Sequence, residues 1–108
     1  DLAEPCLAGG GDALVAGTSP RAAWPSGESG WVEAAIGGPA AFPFTLLALR
    51  RLAALAPGVP IIAAGGIQSL ADAALCLDLG AAAIQIRSLL WTDPAAVAQL
   101  AAGLANLT

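Results

Sequence analysis

The run Val59-Pro60-Ile61-Ile62-Ala63-Ala64-Gly65-Gly66-Ile67 constrains the fold of this chain more than any other stretch, and Ala82-Ala83-Ile84-Gln85-Ile86-Arg87-Ser88 echoes it further on. Each reads as a short apolar strand of the kind buried in a parallel sheet. A pair of glycines after a buried strand lets the backbone turn sharply and brings bare N–H groups close to an anion. A helix starting just beyond aims its positive end at the same place. Two such strands, each followed by a turn, predict a phosphate cradle of the β/α-barrel type, built from the loops after two adjacent strands.

Size limits how much of a barrel can be present. A closed β/α barrel takes roughly 200 to 250 residues, whereas this chain has 108, of which 57% are apolar and 11% charged. That composition can fill a core and excludes a disordered tail. The net charge of -4, with no Lys and no His, leaves no basic stripe for a nucleic-acid backbone. Gly, Pro, Asp or Arg interrupts every apolar run before the roughly 20 residues of a membrane span. The acidic, glycine-rich start from Asp1 to Gly11 does not resemble a signal peptide, so a cytoplasmic location is expected. Starting at Asp1 and containing no Met, the chain is expected to be a piece of a longer reading frame. Cys6 and Cys76 lie far apart with no His near them, so neither a disulfide nor a metal site is expected; within Leu75-Cys76-Leu77 the thiol reads as a small buried side chain.

The remaining elements follow from periodicity. Ala13 to Ala16 is a first strand, closed by Gly17-Thr18-Ser19-Pro20. From Pro20 to Pro43 the sequence shows neither a strand nor a helix period and reads as a long loop holding Trp24 and Trp31. Leu46, Leu49, Leu52 and Leu55 give the apolar face of a helix over 44–56, ended by Pro57-Gly58. Ser69 caps a second helix, with Asp72 in its first turn and Leu70, Ala74, Leu77 and Leu79 on its inner face. Asp93-Pro94 opens a third, whose Val97, Leu100, Ala101 and Leu104 recur at helical spacing. The expected fold class is therefore α/β, a partial (β/α) TIM barrel of three parallel strands with alternating helices over residues 1–108. Its open sheet edges would need the rest of a barrel or self-association to cover them.

The residues that can carry chemistry are few. Gly65 and Gly66 form one half of the cradle, and Ser88 brings a hydroxyl and an N–H to the other. Arg87 has two readings, a bidentate partner for the phosphate or an ion pair with Asp93. Glu28 and Glu33 read as solvated charges, and no paired carboxylates, His or Lys stand ready as a general base. Trp24 and Trp31 either cover a ligand or shield an open edge.

In order and spacing, Gly38-Pro39-Ala40-Ala41-Phe42-Pro43, Leu49-Arg50, the 59–67 run, Asp72-Ala73-Ala74 and Gly80 to Ser88 resemble the C-terminal part of the dihydroorotate dehydrogenase family. Members carry segments of the type "GGLSGPALKP", "IPIIGVGGI", "EDA" and "GASAVQVGT", and the likeness spans about residues 12–104. It implies an FMN-dependent barrel that oxidises dihydroorotate to orotate in pyrimidine biosynthesis. In that likeness Gly65 and Gly66 hold the FMN phosphate, Ser88 completes the loop, Gly38 approaches the flavin, and Gly17-Thr18 stands where the family has Asn-Thr at the substrate, making Thr18 the substrate contact. The chain departs from the pattern at three places: Arg87 stands for a glycine, Gly17 for the asparagine, and Ala34-Ala35-Ile36-Gly37 for most of "GGLS". The family's catalytic Ser or Cys and its flavin-contacting Lys come from strands with no counterpart here, so no catalytic residue is assigned and Cys6 is not that base. The expectation is thus an FMN-binding portion, incomplete for catalysis. The alternatives are a barrel fragment that binds another phosphorylated metabolite and a non-catalytic module that assembles through its open edges.

Overall fold

The computed structural model describes residues 2–17, 19–28 and 30–107. A short helix α1 (Ala3–Ala8) precedes strand β1 (Leu14–Ala16). A hairpin follows, formed by β2 (Arg21–Ser26) and β3 (Gly30–Ala35). A 3₁₀ turn at Pro39–Ala41 runs directly into helix α2 (Phe42–Leu55). Then come β4 (Ile61–Ala64), α3 (Leu70–Asp78), β5 (Ala83–Gln85), α4 (Ser88–Thr92) and α5 (Pro94–Leu107).

Strands β1, β4 and β5 form one parallel sheet in the order β1-β4-β5, with Leu14 opposite Ile61 and Ile62 opposite Ala83. Three parallel strands alternating with helices make an open segment of a β/α barrel, as expected. Because strand side chains alternate between faces, the register puts Ile61 and Ala63 of β4 on the same side as Ala16 and Ile84. That side is covered: Ala16, Ile61 and Ala63 are buried with Leu49 of α2, Ala73 and Cys76 of α3, and Leu100 of α5. The other side, carrying Val15, Ile62 and Ala83, is open, and Val15 is 55% exposed. In a closed barrel this second face would line the packed interior. Ala83 and Gln85 are accordingly exposed, although the run from Ala82 to Ser88 reads as a strand buried in a parallel sheet. As the sheet's edge, β5 has a neighbour on one side only.

The helices keep their sequence signatures, with changes of register. Ser69 caps α3 by accepting a hydrogen bond from Asp72 N, and Asp93 Oδ1 accepts one from Ala96 N at 3.3 Å at the start of α5. The inner face of α3 is Ala73 and Cys76 instead of the larger Leu70, which is partly exposed. Small side chains let the helix lie close on the sheet. Burial, with a smaller contribution from the Asp72 carboxylate, pushes the Cys76 thiol pKa up from its ordinary 9.0. On α2 the buried side chains are Leu49 and Thr45, while Leu55 is exposed.

The 20–43 stretch departs most from the sequence reading. Instead of a structureless loop it holds the antiparallel β2–β3 hairpin, paired from Arg21 with Ala35 to Ser26 with Gly30. Its residues are exposed on both faces except for the half-buried Ser26, with Trp24 77% exposed. A ribbon that buries neither face needs no apolar-polar alternation, so the period that reveals a half-buried strand is missing. Trp24 pairs with Val32 and Trp31 with Pro25, placing the two tryptophans on opposite faces.

Candidate functional site

All three parallel strands end at the same side of the sheet, so Gly17, Gly65 and the Ile86-Arg87 segment emerge together. Ligands of open α/β sheets bind at this carboxyl end. A cleft of about 330 Å³ opens there. Gly38, Gly65, Gly66, Arg87 and Ser88, the five residues singled out from the sequence as cofactor contacts, all line it, together with Ser19, Gln85 and Trp91. Thr18 lies outside the described residues.

The Gly65-Gly66 turn has left-handed backbone angles at both residues, φ +112° and +74°. At Gly66 a side chain is also blocked by space. A Cβ there would collide with Phe42 N and come within 2.8 Å of Gly38 O and of Phe42 Cα. The missing side chain is what lets the segment entering α2 lie against the turn that leaves β4. The hydroxyl of Thr45, on the buried side of α2, donates toward the carbonyls of Ala64 and Gly65, each 2.9 Å away. Neither Thr45 nor its role was assigned from the sequence, although a lone threonine in the apolar run 44–49 is a visible signal.

The second half of the cleft is tied to the first. Gln68 Nε2 donates to Ser88 Oγ at 3.1 Å, while Gln68 N donates to Asp72 Oδ2 at 3.0 Å. Since Ser88 Oγ accepts from Gln68, its own proton remains available for another acceptor. Gln68 also escaped the sequence reading, because a glutamine between a turn and a helix cap carries no distinguishing pattern. Ser88 itself opens α4, where a loop was expected. A short extra helix after the last barrel strand is a recurrent part of barrel phosphate sites.

Arg87 is exposed on the rim of the cleft. Its alternative partner, Asp93, caps α5, and no ion pair between the two is found among the described residues. Gly17 borders a smaller neighbouring cleft with Ala64, Gly65, Gln85 and Arg87. A Cβ at Gly17 would run into Ala64 O and approach Ala64 Cβ to 3.1 Å, so the asparagine of the family pattern does not fit here without a backbone shift.

Among the described residues, no helix is long and apolar enough to cross a membrane. No curated protein matches the chain. The family model described as dihydroorotate dehydrogenase, a family of oxidoreductases, matches residues 27–107, well over half of the chain and inclusive of the hairpin's second strand, the glycine turn and the α4 segment. The chain therefore belongs to the dihydroorotate dehydrogenase family.

Proposed function

We propose that the chain is the C-terminal, FMN-phosphate-binding portion of a dihydroorotate dehydrogenase-like barrel. The observation that carries this reading is the convergence of the side-chain-free Gly65-Gly66 turn with Arg87 and Ser88 on one cleft at the carboxyl ends of adjacent strands. The fit to a phosphate is chemical as well as geometric. The Gly65-Gly66 turn offers backbone N–H groups with no side chain over them, Ser88 offers an O–H, and Arg87 offers a guanidinium fork. Gly38, which lines the same cleft, is assigned to the flavin end, and Thr18 to dihydroorotate.

When bound, FMN supplies the hydride chemistry of oxidising dihydroorotate to orotate. The chain's residues bind and orient the cofactor. Among the described residues no carboxylate lines the cleft, the chain has no His or Lys, and the family's catalytic Ser or Cys comes from strands with no counterpart here, so the base that takes the substrate proton is assigned to another part of the barrel. The open sheet face with Val15 supports a requirement for that remaining part, or for a second copy.

Titrating the chain with FMN and with riboflavin, followed by flavin fluorescence, tests the reading. FMN is expected to bind at least about ten-fold tighter, since charge-assisted hydrogen bonds to the phosphate are the difference between the two ligands. Arg87→Gly should erase most of that preference at low salt and less of it at high salt. Equal affinity for the two flavins, or none for either, would overturn the phosphate cradle.

A further inference from the structure

We propose that Thr45 is a positioning residue that sets the Gly65-Gly66 turn in its anion-binding shape before any ligand arrives. The inference rests on the phosphate reading above for its ligand, and on independent geometry for its mechanism.

The Thr45 side chain is fully buried, and its Oγ lies 2.9 Å from Ala64 O, 2.9 Å from Gly65 O and 3.4 Å from Ala41 O. A threonine inside a helix commonly bonds back to the carbonyl four residues earlier, here Ala41. The two shorter contacts reach instead to another element, nineteen and twenty residues along the chain. One hydroxyl has one proton, so the two carbonyls share it in a three-centre bond. Successive carbonyls of an extended strand point in opposite directions. For Ala64 and Gly65 to converge on one oxygen the chain has to bend between them, as the φ of +112° at Gly65 records.

The consequence for a ligand follows from the planar trans peptide, in which each N–H points opposite to the preceding carbonyl. Holding Ala64 O and Gly65 O toward Thr45 directs the N–H groups of Gly65 and Gly66 away from α2. Both glycines line the cleft that also holds Arg87 and Ser88. Two glycines in sequence are the most freely rotating pair a chain can have, and an anion would otherwise have to order them on binding. Thr45 removes that freedom in advance, which strengthens binding without touching the ligand.

The test compares Thr45→Ser, which keeps the hydroxyl, with Thr45→Val, which keeps the shape and loses it. Titration with FMN and with inorganic phosphate should show Thr45→Ser near the wild type and Thr45→Val weaker by about ten-fold for both ligands, the loss of one net hydrogen bond. Riboflavin binding should change little. In the ligand-free chain, the backbone ¹⁵N order parameters of Gly65 and Gly66 should fall in Thr45→Val alone, with those of α5 unchanged. Wild-type affinity together with wild-type order parameters in a folded Thr45→Val chain would overturn the proposal, as would a Thr45→Ser chain as weak as Thr45→Val. Should Thr45→Val not fold, Thr45→Ala takes its place in the same two measurements: weaker FMN and phosphate binding with a looser Gly65-Gly66 backbone supports the shared bond, and wild-type values in both refute it. If the wild type binds neither FMN nor phosphate, the phosphate reading fails, while the order-parameter comparison still decides whether Thr45 holds the turn.

Discussion

Glycines shape both the turn after β4 and the β2–β3 hairpin, but for different reasons. At Gly66 an added Cβ would meet Phe42 N, Gly38 O and Phe42 Cα, whereas at Gly27 and Gly30 it would meet nothing within 4 Å. The hairpin needs glycine only for its backbone angles, φ +44° and +101°. The β4 turn needs it for angle and space together, because the start of α2 packs onto it and a buried threonine holds its carbonyls. A glycine that could be replaced at modest cost is thus distinguished from one on which the neighbouring backbone depends, and only the second borders the cleft.

The sharpest way to break the contrast is Gly66→Asp. A side chain forced against the Phe42 and Gly38 backbone, in a left-handed conformation, should destabilise the chain by about 3 kcal/mol or more. The added carboxylate also repels a phosphate at the same turn. FMN binding should become undetectable, and urea unfolding followed by circular dichroism should show the lost stability. Unchanged flavin affinity in a folded Gly66→Asp chain would remove Gly66 from the site.

What the sequence made legible follows the same division. Elements that bury one face were readable: the leucine spacing of α2, the Ser69 and Asp93 caps, and the apolar β4 run ending in Gly65-Gly66 each carry a physical reason for their pattern. The five cofactor-contact candidates, read from the turns and from family likeness, fall on one cleft because the parallel register brings their strand ends together. The hairpin was unreadable because it buries neither face, so its residues alternate in nothing but direction. Thr45 and Gln68 were missed for another reason: their partners lie twenty residues away, and a contact that depends on how α2 and α4 settle against the β4 turn leaves no local trace. The short α1 and α4 helices are likewise products of their surroundings, being too short to be stable alone.

The two cysteines offer a milder probe of the same difference between packed and open regions. Cys6 is exposed on α1, and Cys76 is buried on the inner face of α3 with its pKa raised by desolvation. In the unfolded chain the Cys76 thiol regains its ordinary pKa near 9.0. Its contribution to stability is therefore complete below that pH and is lost as pH rises through the higher folded value, because the unfolded form releases a proton that the folded form retains. Urea midpoints measured from neutral pH upward should fall in the alkaline range, and Cys76→Ala should flatten that fall. A thiol reagent at mild pH should label Cys6 quickly and Cys76 only as the chain opens. Equal labelling rates would mean that the α3 packing is not maintained in solution.

The smallest effect belongs to the hairpin, at Gly27→Asn. Its φ of +44° lies in the left-handed region, where asparagine is tolerated better than other side chains, and a Cβ there has open space around it. Replacing glycine also restricts the unfolded chain, which offsets part of the remaining strain. The net change in unfolding free energy should stay within about 0.5 kcal/mol, the range of surface substitutions away from special features. FMN affinity should be untouched, because Gly27 does not line the cleft. A large loss of stability at Gly27 would show that the hairpin is held against something beyond its own two strands, and a loss of flavin affinity without loss of stability would bring the hairpin's tip into the site, beyond Ala35 at the end of β3.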